Sequence, residues 1–208
     1  MRITGGEFCG RNLKVPKSDA IRPTQDRVRE ALFNIIQCEI GGADFLDLFA
    51  GSGAVGLEAL SRGAKSATFV EANRRHLATL RENLEAITGG GRGSRCASGS
   101  SYVSAASESS AVSTTAVVAA DCYRWIASYS GPGFSIGFAD PPYALGEEKG
   151  YAAVLATLAA RDVIRPGGLF IAEMTAVQKA EETPGWELIR DRIYGKTRLC
   201  MWRRAAAR

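Results

Sequence analysis

The chain has 208 residues, 46% of them hydrophobic, and a formal net charge of +4. This length suits one domain that buries its own core. The sequence has no apolar run of the roughly 18 residues that a membrane span requires, and its start lacks the apolar stretch of a signal peptide. Its five cysteines are scattered and its histidine is single, so we expect no metal site, no disulfide framework and a cytoplasmic location.

The positive charge is concentrated at the two ends of the chain. Residues 1–30 hold seven Lys or Arg against four Asp or Glu, and residues 190–208 hold seven against one. The middle of the chain is therefore net acidic. Basic ends around an acidic body indicate that both termini face a polyanion. The alternative is a pair of ends that are merely solvated.

The hydrophobic pattern predicts a small N-terminal β-hairpin extension over residues 1–22 and an α/β domain over residues 23–208. In this second part helices and strands alternate, which implies a mostly parallel sheet with helices on both faces. The predicted helices start near Pro23, Ala54, Arg74, Cys122 and Gly150. The predicted strands are Phe45–Leu48, Ser66–Glu71, one around Val117–Val118, Phe134–Ala139, Gly168–Ala172, Glu187–Tyr194 and Thr197–Trp202.

One stretch does not fit this alternation. Residues 88–116 are rich in Ser, Gly and Ala and contain almost no large apolar side chain. Such a segment buries too little surface to offset the entropy of ordering it. We expect a disordered surface insertion between a helix and a strand.

A glycine-rich loop follows the first predicted strand. Gly51-Ser52-Gly53-Ala54-Val55-Gly56 matches G-x-G-x-x-G between a strand and a helix, which is the position of a nucleoside-binding loop. Glu71 follows 20 residues after Gly51, at the end of the next strand. A carboxylate in that position accepts hydrogen bonds from both hydroxyls of a ribose.

Asp47 indicates which nucleoside binds. The pyrophosphate of a nicotinamide cofactor favours a helix N-terminus, and a carboxylate four residues before Gly51 repels it. The same carboxylate attracts the α-ammonium group of S-adenosylmethionine, which carries no phosphate. The alternative is that Asp47 only fastens its own loop. Asp121, with the Cys122 backbone beside it, suits the adenine amino group, or else caps the helix that follows.

The segment Asp140-Pro141-Pro142-Tyr143 follows the predicted strand Phe134–Ala139, and we call it the amine clamp. Ligands of open α/β sheets bind at the carboxyl ends of such strands. The two prolines fix the backbone and remove two N–H donors. The Asp140 carboxylate and the Pro141 carbonyl each accept one hydrogen of an –NH2 group, and Tyr143 stacks on a base. The alternative is an ordinary Pro-Pro turn.

These motifs, in this order, resemble those of class I amino-methyltransferases, and further blocks resemble the bacterial RsmD family. The blocks are Arg2–Gly6, Gly10-Arg11, Arg22–Thr24 with Asp26–Phe33, Leu57–Arg62 and Tyr194–Thr197. The resemblance implies a Rossmann-like class I methyltransferase fold with seven strands, one of them antiparallel. It also implies methylation of a guanine N2 in small-subunit (16S) ribosomal RNA, within a small-subunit particle, by a monomer.

The resemblance also implies roles for individual residues. The cofactor S-adenosyl-L-methionine is held by Asp47, Phe49, Ala50, Gly51, Ser52, Gly53, Glu71, Ala72, Asp121 and Cys122. The target guanine is held by the catalytic residues Asp140, Pro141, Pro142 and Tyr143. The RNA phosphates are contacted by Arg2, Arg11, Lys14, Arg22, Arg27, Arg29, Lys196 and Arg198; for Arg27 and Arg29 the alternative is an ion pair on the helix surface.

Other functions stay open at this point. The amine clamp also suits adenine N6 in DNA or RNA, or the amide of a protein glutamine. A nicotinamide oxidoreductase is disfavoured by Asp47 and by the lack of an evident acid–base partner, since His76 is poorly placed. A non-catalytic RNA-binding module does not need a cofactor loop together with an amine clamp.

Overall fold

The computed structural model describes residues 1–16, 23–89, 94–95, 101–105, 114–141 and 151–206. The chain divides into two compact units, Met1–Ala120 and Asp121–Arg208, and each is described by itself. The helices are α1 (Pro23–Ile35), α2 (Ala54–Ser61), α3 (Arg74–Thr88), α4 (Cys122–Ser128) and α5 (Tyr151–Ala160). The strands are β1 (Asp44–Leu48), β2 (Ser66–Glu71), β3 (Ser94–Arg95), β4 (Ser101–Ala105), β5 (Thr114–Ala119), β6 (Phe134–Ala139), β7 (Ile164–Thr175), β8 (Trp186–Tyr194) and β9 (Thr197–Arg204).

The first unit contains the strand order β3-β4-β5-β2-β1. β1, β2 and β5 are parallel, as the alternation of helices and strands predicts. β4 pairs antiparallel with β5, and β3 with β4. The parallel strands direct their carboxyl ends to one edge, where the loops after β1 and β2 begin.

Helix α3 shows how the sequence builds this unit. Leu77, Leu80, Leu84 and Ile87 recur at helical spacing, and all four are buried, so one face of the helix enters the core. Asn73 caps the helix start, because its side chain accepts a hydrogen bond from the Arg75 amide at 2.9 Å. The helix ends at Gly89, whose φ of 73° suits glycine.

The N-terminal residues belong to the core of the first unit. Ile3 is 0% exposed and Leu13 is 5% exposed, and both lie in the hydrophobic cluster that α2, α3, β2 and β5 form. Burying an aliphatic side chain of this size contributes about 1.5–3 kcal/mol. The predicted hairpin is reduced to one isolated antiparallel bridge, Arg2 to Asn12, because turns occupy the residues between them.

The stretch 88–116 contains secondary structure that its composition did not predict. Its described parts include β3 and β4, and β5 begins in it at Thr114. Pairing with β5 supplies backbone hydrogen bonds to β4, and such bonds form without large side chains. The rest of the stretch lies outside the described residues.

The second unit contains the strand order β6-β7-β9-β8. β6 and β7 are parallel, and β9 runs antiparallel to both β7 and β8. Among the described strands of this unit, β9 is thus the one that runs against its neighbours, and the resemblance implies one antiparallel strand. The core of the second unit is aromatic: the Trp202 ring centroid lies 6.2 Å from that of Tyr151 and 6.3 Å from that of Phe170. The Trp186 indole donates a hydrogen bond to the Leu155 carbonyl at 2.9 Å.

Candidate cofactor site and amine clamp

The loop after β1 has an unusual backbone. Phe49, Gly51 and Gly53 have φ angles of 60°, 54° and 80°. For Phe49 this left-handed conformation costs about 1–2 kcal/mol, and strain of this kind clusters at ligand sites. Backbone hydrogen bonds hold the loop in place: the Ala50 amide donates to the Val70 carbonyl at 3.1 Å, and the Gly53 amide donates to the Ala50 carbonyl at 2.7 Å.

The three glycines of the G-x-G-x-x-G motif have different surroundings. A Cβ atom on Gly53 would lie 2.2 Å from Leu80 Cδ1, and one on Gly56 would lie 2.3 Å from the Phe69 ring. These two glycines therefore serve close packing. Among the described residues, a Cβ atom on Gly51 would meet only the Phe49 carbonyl oxygen, at 3.9 Å. Gly51 leaves open space in which a ligand can approach the backbone.

Asp47 is buried beneath this loop, with an exposed fraction of 1%. Its Oδ2 accepts a hydrogen bond from the Gly56 amide at 2.9 Å, so it fastens the first turn of α2 to β1. Burial raises the pKa of Asp47 to about 7, the Gly56 amide opposes the rise and the Glu71 charge adds to it. Asp47 thus does fasten its own loop. Contact with an ammonium group stays a prediction.

Glu71 connects the ends of β1 and β2. Its Oε2 accepts from the Gly51 amide at 2.8 Å and its Oε1 accepts from the Asn73 amide at 2.7 Å. The Nδ1 atom of His76 lies 3.7 Å from Oε2. A carboxylate offers about four lone-pair sites, so Glu71 keeps capacity to accept hydroxyl groups beside the open face of Gly51. Ala72, which follows, is exposed.

Asp121 caps α4 in the second unit. Its Oδ1 accepts from the Arg124 amide at 2.9 Å, and the residue is exposed. Asp121 therefore caps α4 with one of its two carboxylate oxygens, which is the alternative given for it. Cys122, the first residue of α4, is 3% exposed. The contact of these two residues with adenine stays a prediction.

The first half of the amine clamp follows a fully buried strand. All six residues of β6 are buried, so the strand holds Asp140 firmly at its carboxyl end. Asp140 is partly exposed and Pro141 is buried. Pro142 and Tyr143 lie outside the described residues.

Tyr151 is a residue of this region that the sequence analysis missed. Its hydroxyl donates to the Glu173 carbonyl at 3.0 Å. Burial, and next the charge of Asp140, raise the pKa of Tyr151, so it stays protonated at neutral pH. An aromatic residue at the start of the helix after the clamp was the available signal.

Two of the predicted RNA contacts are engaged inside the protein. Arg29 is 4% exposed, its Nε lies 3.3 Å from Glu58 Oε2 and its Nη2 donates to the Arg2 carbonyl at 2.5 Å. Arg198 donates to both carboxylate oxygens of Asp191, at 2.7 and 2.5 Å. The Arg29 guanidinium is therefore buried, and that of Arg198 is held by a carboxylate; contact of either residue with RNA stays a prediction.

The other residues predicted to contact RNA differ in whether their side chains already form bonds within the protein. Arg11 donates to the Ile87 carbonyl at 2.8 Å, and Lys14 pairs with Glu82 at 2.9 Å while staying 70% exposed. Arg22 lies outside the described residues. The exposed members of the set are Arg2, Arg11, Lys14, Arg27 and Lys196.

Glu58 is a second residue that the sequence analysis missed. It is 0% exposed and accepts hydrogen bonds from the Thr4 amide at 2.9 Å, the Thr4 hydroxyl at 2.7 Å, Arg29 at 3.3 Å and Arg62 at 2.9 Å. One carboxylate thus joins the N-terminal segment, α1 and α2. Its partners lie between 4 and 54 residues away, which no local sequence pattern reveals.

The described residues contain neither a metal cluster nor a membrane-spanning helix. Within the part of the chain that the structure describes, no three His, Cys, Asp or Glu side chains gather closely enough to hold a metal ion. Among those same residues, no helix has the length and apolar character needed to cross a bilayer. Cys9, Cys38, Cys122 and Cys200 carry free thiols.

Known proteins resemble this chain over most of its length. Ribosomal RNA small subunit methyltransferase D of Escherichia coli (strain K12) is 52% identical over 90 residues, which are 43% of this chain and 46% of that protein. The chain thus spans about half the length of that relative. The protein of the same name from Haemophilus influenzae is 32% identical over 198 residues, which are 94% of this chain and 89% of that protein.

A solved structure confirms the predicted Rossmann-like class I methyltransferase fold. It is named "Putative methyltransferase yhhF from Escherichia coli", has a TM-score of 0.77 and 32% identity, and covers 100% of this chain and 99% of its own. A family model described as Conserved hypothetical protein 95 matches residues 1–203. The chain therefore belongs to the Conserved hypothetical protein 95 family, which is the RsmD family that its motifs resemble.

Proposed function

We propose that this protein transfers a methyl group from S-adenosylmethionine to the exocyclic N2 amine of a guanine in small-subunit (16S) ribosomal RNA. The observation that carries the proposal is the loop around Gly51. An open glycine lies there beside two carboxylates, those of Asp47 and Glu71. This arrangement suits a nucleoside that carries an ammonium group and repels a pyrophosphate. The names of the family's relatives add ribosomal RNA as the substrate class.

The described residues fit this cofactor. Glu71 would accept the ribose hydroxyls, Asp47 would balance the ammonium charge, and Asp121 with the Cys122 backbone would meet the adenine. When bound, the cofactor supplies a methyl group on a positively charged sulfur that is already a good leaving group. The protein therefore has to orient the amine and to exclude competing nucleophiles, rather than provide a strong base.

The amine clamp orients the target nitrogen. The Asp140 carboxylate and the Pro141 carbonyl each accept one N–H, which turns the lone pair of the nitrogen away from conjugation with the base. Asp140 takes up the surplus proton after transfer. Tyr143 stacks on the base, a contact worth about 1–3 kcal/mol. The guanine has to leave its stack to be held in this way.

The exposed basic residues position the RNA. Contacts from cations to phosphates fix the register of a nucleic acid without reading its sequence. Arg2, Arg11, Lys14, Arg27 and Lys196 are exposed and suit this role, as does Arg22 by its place in the sequence. We propose that the protein acts as a monomer on RNA within a small-subunit particle.

The substitution Asp140→Ala tests the proposal. Removing one acceptor for the amine lowers turnover about 100-fold or more, by analogy with the loss of one preorganised transition-state contact. Turnover is measured as transfer of a tritium-labelled methyl group to ribosomal RNA from a strain that lacks the enzyme, followed by nucleoside mass analysis. Calorimetry gives the cofactor affinity, which we expect to stay largely unchanged.

Glu182→Ala is the matched control, since it removes an exposed carboxylate from the same unit and should leave turnover unchanged. Equal activity of the Asp140 variant and the control would remove the clamp from the mechanism. Tight binding of NAD, with no binding of S-adenosylmethionine, would overturn the proposed cofactor. A methylated adenine in the nucleoside analysis would overturn the guanine target.

A further inference from the structure

The β8–β9 hairpin extends past the same sheet edge as the amine clamp. β8 runs in the same direction as β6, because β9 is antiparallel to both β7 and β8 and β7 is parallel to β6. The registers put Ala139 level with Ala172, Ala172 level with Cys200, and Cys200 level with Asp191. The residues after Asp191 therefore continue beyond the level at which β6 ends and Asp140 begins.

The separation follows from sheet geometry. The order β6-β7-β9-β8 puts three strand spacings between β6 and β8, and at about 4.8 Å each these amount to about 14 Å. Each residue advances about 3.3 Å along a strand, so Tyr194 lies about 10 Å beyond the level of Asp191. A few nucleotides of a single strand span such a distance from the clamp.

Three cations at this end of the hairpin face solvent. Arg190, Arg192 and Lys196 are exposed, and we call them the hairpin cations. Among the described residues, no carboxylate forms an ion pair with them; Arg192 donates to the Asp191 carbonyl at 3.1 Å. The exposed carboxylate of β8, Glu187, lies at the opposite end of the strand, level with Arg203.

Two other arginines of the hairpin are held within the protein. Arg198 binds Asp191 through both carboxylate oxygens, and Arg204 pairs with Asp162 at 2.7 Å. The paired arginines fix the hairpin, because a bidentate contact restrains both side chains. The hairpin cations therefore extend from a rigid strand pair, which lowers the entropy that a ligand has to overcome.

Apolar surface accompanies the hairpin cations. Ile193 is 57% exposed and Val177 is 84% exposed, and the turn that carries Val177 is tied to the hairpin by the Ala176 amide, which donates to the Lys196 carbonyl at 2.9 Å. Tyr194 is partly exposed. Arg190, Arg192 and Tyr194 occupy alternate positions of β8 and therefore share one face of the strand, with Ile193 on the other. Cations beside an aromatic side chain are the combination that binds single-stranded nucleic acid, since the cations meet phosphates and the aromatic ring stacks on a base.

We propose that Arg190, Arg192, Tyr194 and Lys196 bind the single-stranded RNA that flanks the guanine held by the amine clamp. The inference rests on the proposed function and deepens it, because it assigns a contact surface for the RNA next to the target base. Among the residues expected to contact RNA, Arg190 and Arg192 take the place of Arg198. Arg198 instead positions the hairpin. Arginine and tyrosine are also enriched at protein interfaces, so a protein partner is one of the outcomes that the test below distinguishes.

The double substitution Arg190→Ala/Arg192→Ala tests this inference, with 16S ribosomal RNA transcribed in vitro as the probe. We expect RNA affinity, measured by fluorescence anisotropy, to fall about tenfold, because two phosphate contacts are lost. The slope of log affinity against log salt should fall by about 1.4, since each contact to a single strand contributes about 0.7. In turnover assays KM rises in proportion and kcat changes less than about twofold.

Arg161→Ala/Arg165→Ala is the matched control. It removes two exposed arginines of the same unit at the amino end of β7, the opposite sheet edge, and should leave the affinity and the salt slope unchanged. Equal effects of the two double variants would overturn the inference. Unchanged affinity for naked RNA, with methylation lost only on assembled particles, would assign the hairpin to a ribosomal protein and also overturn it.

Failure of this inference is distinguishable from failure of the proposed function. Anisotropy measures the RNA contact without any turnover, whereas the Asp140→Ala experiment measures turnover at constant cofactor affinity. A wild-type protein that methylates 16S RNA and loses nothing in the hairpin variant would refute the hairpin alone. A wild-type protein that binds neither the naked 16S RNA nor small-subunit particles from a strain that lacks the enzyme would refute both.

Discussion

The first 30 residues and the last 19 both carry an excess of positive charge, but the two regions use their arginines differently. In the first region Arg29 is buried against Glu58, which is itself 0% exposed, and the contact ties the N-terminal segment into the core. In the second region Arg198 is held by the partly exposed Asp191, and the hairpin cations face solvent. Net charge alone does not separate a structural cation from one that is available to a partner.

The largest expected effect is that of Glu58→Ala. This substitution removes one of the two carboxylates that pair with the buried Arg29, Asp26 being the other, and breaking a buried ion pair on one side costs up to about 3–5 kcal/mol. The free energy of unfolding, measured by urea titration, should fall by that amount. The Thr4 amide loses its acceptor as well, so the N-terminal segment should exchange its amide hydrogens faster.

Glu82→Ala is the control for this comparison. It breaks the Lys14–Glu82 pair, whose side chains are 70% and 55% exposed, and exposed pairs contribute at most about 1 kcal/mol. Similar losses in the two variants would show that the burial of Glu58 does not matter for stability. Glu58→Gln, which keeps two polar atoms, provides a milder variant if Glu58→Ala does not fold.

The next largest expected effect is the pH dependence of stability that Asp47 causes, a buried acid that accepts a hydrogen bond from a backbone amide. Burial raises the pKa of Asp47 to about 7, so the folded state holds a proton that the unfolded state has released. The stabilisation from this proton is present below about pH 4 and is lost as the pH rises through about 7. We expect the unfolding free energy to fall over this range by on the order of 4 kcal/mol more in the wild type than in Asp47→Asn.

The amide oxygen of Asp47→Asn can still accept from the Gly56 amide, so the fold should be retained. Urea titrations at several pH values between about 4 and 8 give the two profiles. Parallel profiles for the wild type and the variant would show that Asp47 does not titrate in this window.

The smallest effect is that of Arg198→Ala on stability. The pair with Asp191 is partly exposed, so its loss should cost at most about 1 kcal/mol at neutral pH. Hydrogen bonding to Arg198 lowers the pKa of Asp191, and the stabilisation is therefore present above pH 4 or so and lost as the pH falls below it. Arg192→Ala, the control, should change stability by less than about 0.5 kcal/mol. An equal loss in both would contradict the assignment of Arg198 as the residue that fixes the hairpin.

Local patterns in the sequence were sufficient for most of the fold. The spacing of Leu77, Leu80 and Leu84 predicted the buried face of α3, and the glycines after β1 predicted a tight strand–loop–helix turn, because periodicity and backbone conformation are local properties. β3 and β4 were not predicted. They lie in a stretch dominated by Ser, Gly and Ala, and they join the sheet by pairing: β4 pairs with β5, and β3 pairs with β4.

The sequence predicts a cofactor site with two acids, Asp47 and Glu71. The structure shows that both acids also hold the protein backbone in place. The sequence marked Asp47 and Glu71 as cofactor ligands from their positions at strand ends. It did not reveal that Asp47 also holds the start of α2, or that Glu71 also holds the Gly51 amide. Every residue except proline has a backbone amide, so the sequence does not show which amides bind these carboxylates. That depends on the folded conformation of the loop.

The amino-acid sequence by itself determined the order of strands and helices, the glycine loop with its two acids, and the presence of basic residues at both ends. Only the tertiary structure decided which of those basic residues are available. Arg29 is taken up because the fold brings Glu58, 29 residues away, and the Arg2 carbonyl to its guanidinium. Arg190 and Arg192 of β8 are exposed, and among the described residues no carboxylate forms an ion pair with either guanidinium. Contacts between distant residues depend on the fold, and no property of a single residue encodes them.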